Sequence, residues 1–150
     1  MCTKEWIMNL SEHFTLAEMT ASQSAVRLGI DNSPSVETLD NLRRLCALLE
    51  QVRLLVEKPV LVSSGYRSTE LNRIIGGAPQ SAHMQGLAAD INVPGMSPAT
   101  LARCVADSPL MFDQLIIEFD QWVHLGLAEG LQRRQLLTIR KGAGYLPGLV

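Results

Sequence analysis

The chain has 150 residues, 47% of them apolar and 19% charged, the balance expected of one soluble globular domain spanning residues 1–150 with a core of its own. A formal net charge of −2 excludes a global basic field for nucleic acid, and no apolar run reaches the length needed for membrane insertion. The cysteines Cys2, Cys46 and Cys104 are odd in number and lack CxxC spacing, which argues against a disulfide framework and fits a reducing compartment.

Met1–Trp6 lacks the basic-then-apolar pattern of a secretory signal, so cytoplasmic synthesis without one is expected. Thr15, with Glu18 three residues on, predicts a capped short helix ending near Thr20. A further turn or two follows from Ala21 to Leu28 and stops at Gly29. Ser33 as cap and Pro34 in the first turn then open a long helix to about Val56. Its apolar residues recur at three- and four-residue spacing, and Cys46 falls among them as a small buried hydrophobe. Val60–Ser64 reads as a strand, Thr69 to Ile75 as a short helix closed by Gly76-Gly77, and Leu87 to Val93 as a strand. Ser97-Pro98 opens a helix to about Asp107, which carries Cys104. Gln114 to Phe119 and Trp122 to Leu127 form a hairpin, and Gln135 to Arg140 is a last strand before a Gly/Pro-rich tail. Arg43-Arg44 and Arg133-Arg134 read as solvated faces. Helices first and strands later give an α+β fold, with N-terminal helices packed on a small, mainly antiparallel sheet.

Chemistry concentrates in two strand segments. The chain has only three histidines, His13, His83 and His124. His83 precedes Asp90 by seven residues, and Asp90 is a carboxylate in an apolar strand. A buried carboxylate needs a partner. Two imidazoles and one carboxylate make a zinc site with one open position, the catalytic kind. Such a metal acidifies a water into a nucleophile. The spacing alone is weak evidence, since a lone histidine on an apolar segment is more often a satisfied core residue. Gly86 with the small Ala88 and Ala89 would let the backbone pass close to the ion.

The surrounding motifs sharpen this reading. Ser64-Gly65-Tyr66-Arg67-Ser68, Leu71-Asn72, Gly76-Gly77, Ser81-x-His83-x-x-Gly86-x-Ala88-x-Asp90 and Trp122-Val123-His124 occur in that order between about residues 60 and 127. Together they resemble the zinc D-alanyl-D-alanine carboxypeptidase family, which also holds phage L-alanyl-D-glutamate endopeptidases and shares its fold with hedgehog domains. The resemblance implies one Zn2+ per chain on His83, Asp90 and His124. It makes Arg67 the residue that contacts substrate and stabilises the oxyanion, with Tyr66 and Ser81 beside the peptide. It implies a peptidoglycan stem peptide as substrate, cleaved by a monomeric phage or prophage lysis enzyme released to the wall or carried in the phage particle. The alternative is a non-catalytic wall-binding module of the same fold.

Many family members carry an acid three residues before the second histidine, where this chain has Gln121. Two acids lie near. A hairpin loop centred on Gln121 would pair Asp120 with Trp122 and set Glu118 opposite His124. Glu118, flanked by Ile116, Ile117 and Phe119, is the expected general base, and Asp120 is the runner-up.

Overall fold

Each helix begins where the sequence supplies a cap. The computed structural model describes residues 8–150, so Cys2 and Met1–Trp6 lie outside the described residues. Helix α1 (Leu16–Thr20) starts at Thr15. The Thr15 hydroxyl accepts from the Glu18 N–H, and the Glu18 carboxylate accepts from the Thr15 N–H. Ser22 caps α2 (Gln23–Leu28), and a left-handed Gly29 ends it. The long α3 (Val36–Val56) is capped by Ser35 and not by Ser33. Ser35 Oγ accepts from the Thr38 N–H, whereas the Ser33 N–H is drawn into a turn on the Asp31 carboxylate. Pro34 biases Ser33 toward extended backbone and lies ahead of the cap. Two shorter helices, α4 (Thr69–Ile74) and α5 (Pro98–Ala106), are capped by Ser68 and Ser97.

Six strands form one sheet: β1 (Leu61–Ser64), β2 (Ala88–Asn92), β3 (Gln114–Glu118), β4 (Trp122–Gly126), β5 (Gln135–Arg140) and β6 (Gly144–Pro147), in the order β1-β2-β4-β3-β5-β6. The β3–β5 ladder is parallel and the others are antiparallel, so the fold is α+β with a mixed, mainly antiparallel sheet. The sixth strand corrects the expectation that the chain ends in an irregular tail. Its four residues include Gly144 and Pro147, too short and too turn-like to announce a strand. Pairing with β5 creates it. The buried Thr138 hydroxyl helps to hold it, donating to the Gly148 carbonyl and accepting from the Val150 N–H.

The parallel pairing requires the chain to cross the start of β3 between β4 and β5. Asp113 fastens that crossing: its carboxylate accepts from the Arg133 backbone, Nε and NH2, the last at 2.8 Å. Arg134 donates to the carbonyls of Ala106, Ser108 and Leu110 and lies over the Phe112 ring, 4.7 Å from its centroid. The Arg133-Arg134 pair is therefore a clasp and not merely a solvated face.

Strand alternation divides the sheet into two faces. On one, the register sets Asp90, His124, Ile116 and Leu137 in a row across four strands. The next row on that face is Trp122, Glu118, Ile139 and Tyr145. The other face carries Ala89, Ile91, Leu115, Ile117, Val123 and Leu125, all buried in one core with Leu42, Leu45, Leu49 and Val52 of α3 and Leu101 and Val105 of α5. Cys46 lies in this core, where burial and the nearby Glu18 and Glu50 charges push its thiol up to about 12, so it packs as a hydrophobe. Cys104 is half-buried. His13 is remote from the other histidines and bonds to Glu50 at 2.7 Å. Among the described residues, no helix is long and apolar enough to cross a membrane.

Candidate metal centre

His83, Asp90 and His124 meet on the open face of the sheet. Asp90 and His124 are cross-strand partners in β2 and β4. His83 arrives from a 3-10 turn (Ala82–Gln85), whose cap, Ser81, accepts the His83 N–H on its hydroxyl. This turn is stitched to the segment after β1. The Arg67 N–H donates to the His83 carbonyl, and His83 Nδ1 lies 2.7 Å from the Gly65 carbonyl. A carbonyl only accepts, so Nδ1 carries the proton and Nε2 presents its lone pair. The space at Gly86 is not taken up by the site. Gly86 has φ +73°, and a Cβ there would meet the Thr38 carbonyl of α3, so it is the helix that passes close.

The donor set fits a zinc ion. Asp90 Oδ1 lies 3.3 Å from His83 Nε2 and 3.2 Å from His124 Nδ1. Tetrahedral bonds of about 2.0–2.1 Å place neighbouring ligand atoms about 3.3 Å apart. All three ligand atoms lie within 4.8 Å of one another and all three residues are buried. The two imidazoles meet edge-on, with ring centroids 5.0 Å apart. Burial raises the Asp90 carboxyl, but the His124 and His83 imidazoles outweigh it and hold the group well below the usual carboxylate range.

Arg67 borders this set and is held on three sides. Its Nε donates to Ser64 Oγ at 3.2 Å, NH1 donates to Asn72 Oδ1 at 3.1 Å, and NH2 lies 3.6 Å from Asp90 Oδ2. Asn72 is buried and donates in turn to the Ala78 carbonyl. A Cβ on Gly77 would fall 2.0 Å from Asn72 Oδ1 and 2.9 Å from Arg67 NH1, so only glycine lets the chain pass this pair. Asn32, which the sequence does not single out, ties the same loop by bonds to the Thr20 and Tyr66 carbonyls and the Ser68 N–H.

Glu118 stands on the same face, but in a different register from the one expected. It pairs with Trp122, and Ile116 stands opposite His124. Phe119 and Asp120 both have positive φ, and the Gln121 N–H bonds the Glu118 carbonyl at 3.0 Å. This tight turn moves the pairing by two residues. A two-residue shift keeps every side chain on its face. Glu118 Oε1 therefore still lies 4.0 Å from His124 Nδ1, and it accepts a 2.8 Å bond from the Trp122 indole. Asp120 is exposed at the turn and lies 3.7 Å from Arg140 Nε.

A cleft of about 810 Å³ joins these groups, lined among others by Arg67, Ser81, His83, Glu118, Trp122 and His124. Tyr66 does not line it. That ring packs against the core and borders a separate groove beside α2. A family model for peptidase M15 matches residues 12–126. The chain belongs to the peptidase M15 family. Its zinc peptidases act on peptidoglycan, and the match spans His83, His124, Asp90, Arg67 and Glu118. A search of curated proteins finds no match to this chain.

Proposed function

We propose that this M15 chain is a zinc peptidase that hydrolyses a peptide bond in the peptidoglycan stem peptide, as a D-Ala-D-Ala carboxypeptidase or an endopeptidase. One observation carries the proposal: a buried His-Asp-His donor set of tetrahedral spacing lies beside a carboxylate that is not part of it. His83, Asp90 and His124 would hold one Zn2+ per chain, which supplies the charge that polarises a carbonyl and acidifies a water. Glu118 takes the proton of the attacking water on its carboxylate and returns it to the leaving nitrogen. Trp122 Nε1 fixes Oε1 of that carboxylate for the task. Arg67, held by Ser64, Asn72 and Asp90 at the edge of the cleft, would supply positive charge to the oxyanion. Ser81 lines the cleft and orients His83 through its N–H. In biological terms we favour a monomeric phage or prophage wall-lysis enzyme. The competing reading, a zinc-containing wall-binding module, rests on Gln121 at the position of the family acid.

Metal analysis tests the ligand assignment. Wild type should carry one zinc per chain. His83→Ala and His124→Ala should carry none and lose activity, with far-ultraviolet circular dichroism unchanged. Full zinc occupancy in either variant would overturn it.

A further inference from the structure

The far wall of the metal cleft is built by chain beyond the family match, which ends at residue 126. Strand β6 places Tyr145 opposite Ile139, and Ile139 stands opposite Glu118 on β3. Trp122, Glu118, Ile139 and Tyr145 thus form one row on the open face. Neighbouring strands lie about 4.8 Å apart, so the Tyr145 backbone is about 10 Å from that of Glu118, with only Ile139 between. Ile139 and Tyr145 both line the cleft. Phe119 and Trp122 flank the same wall, with ring centroids 5.6 Å apart.

Three features separate Tyr145 from an ordinary surface aromatic. The residue is 58% exposed, yet it lines a cleft and no described hydrogen bond uses its hydroxyl. Burial in the cleft wall raises the phenol from its ordinary value and the Glu118 charge adds to this, so the hydroxyl keeps its proton and remains a donor. Its strand is fastened from the other face: Thr138 holds Gly148, whose N–H also donates to the Leu136 carbonyl at 2.8 Å.

We infer that Tyr145 is a substrate-contact residue of this cleft, whose hydroxyl donates to a carbonyl or carboxylate oxygen of the bound stem peptide on the side of Glu118 away from Arg67. Arg67 and Tyr145 then hold the peptide from opposite walls, across the metal ligands and the base. This assignment rests on the stem-peptide reading above.

Binding and turnover are measured separately to test it. Zinc-loaded Glu118→Gln protein, alone and combined with Tyr145→Phe or Tyr145→Ala, is titrated calorimetrically with a soluble stem pentapeptide. Turnover of the same peptide is measured for wild type and Tyr145→Phe. Loss of one neutral hydrogen bond should weaken binding roughly three- to tenfold in the Phe variant, and Ala should weaken it further. KM should rise by the same factor with kcat little changed, and zinc content and Tm should stay at the parent values. Unchanged affinity in the Phe variant overturns the inference, whatever the Ala variant does. Tyr145-dependent binding without turnover in wild type would overturn the peptidase reading and leave the contact standing. Turnover with binding indifferent to Tyr145→Phe would do the reverse. Absence of both binding and turnover overturns the two together.

Discussion

The two faces of the sheet are made from alternate residues of the same strands, yet they do different work. Along β2, Ala89 and Ile91 turn into the core while Asp90 between them turns to the other face of the sheet, beside His124. Along β4, Val123 and Leu125 are fully buried and His124 between them meets Asp90. The covered face supplies folding free energy through apolar area under α3 and α5. The open face supplies chemistry at some cost, because it confines a carboxylate, two imidazoles and a guanidinium in little water. Asp90 and His124 are each flanked by core residues of their strands, so the packed face fixes the spacing between these two. The third donor, His83, comes from the 3-10 turn, which hydrogen bonds to the segment after β1 hold against the sheet.

Substitutions on the two faces should therefore separate activity from stability. The largest effect is expected for Glu118→Gln, which should bind zinc normally and lose roughly 10²–10⁴ in turnover, measured on purified wall. Asp120→Asn should stay active, since Asp120 is exposed at the turn beside Arg140. Reversed activities would move the base to Asp120. Arg67→Ala should keep its zinc and lose roughly 10²–10³ in kcat, and Arg67→Lys should recover only part, because an ammonium does not reproduce the fork. Wild-type turnover in both variants would remove Arg67 from the machinery.

On the covered face the pattern should invert. Leu125→Ala, adjacent to a ligand but buried in the core, should cost about 2–5 kcal/mol in denaturant unfolding. The folded fraction should still hold one zinc per chain with kcat near wild type. A large loss of kcat per folded molecule would show that the faces are not independent. The smallest effect concerns pH. The Arg133 hydrogen bonds outweigh burial and lower the Asp113 carboxyl from its ordinary value of 3.8. A folded-state value below the unfolded one gives stability that is present above about pH 4 and is lost as pH falls through the lowered value. Asp113→Asn should be less stable than wild type at neutral pH, and the gap should narrow on acidification below pH 4, as read by thermal unfolding. A gap that widens there would contradict the pairing.

The sequence reveals helices and strands wherever the determinant is local. Caps at Thr15 and Ser97 and the periodic apolar face of α3 need no tertiary information. Ser33 and Ser35 compete as caps, and only the Asp31 turn decides between them. Non-local pairing was less legible. Strand β6 exists because β5 offers an edge, and the β3–β5 ladder is parallel because the chain crosses at Asp113. In the site, His83, Asp90 and His124 can be read from spacing and motif, and the structure brings them together. The hairpin register could not be read in the same way, because it depends on positive φ at Phe119 and Asp120, two residues that do not advertise it. Glu118 kept its face because the error was an even number of residues. Tyr145 carries no signal without β6.

In the proposed function the open face hydrolyses stem peptide through a metal that His83, Asp90 and His124 would hold. The most direct test is mass analysis of purified peptidoglycan digested by the wild-type chain, with and without a chelator, and after zinc is restored. Stem peptides cut at one defined bond should appear with the metal, vanish with the chelator and return with zinc. Intact stem peptides in every sample, or cleavage indifferent to the chelator, would contradict it.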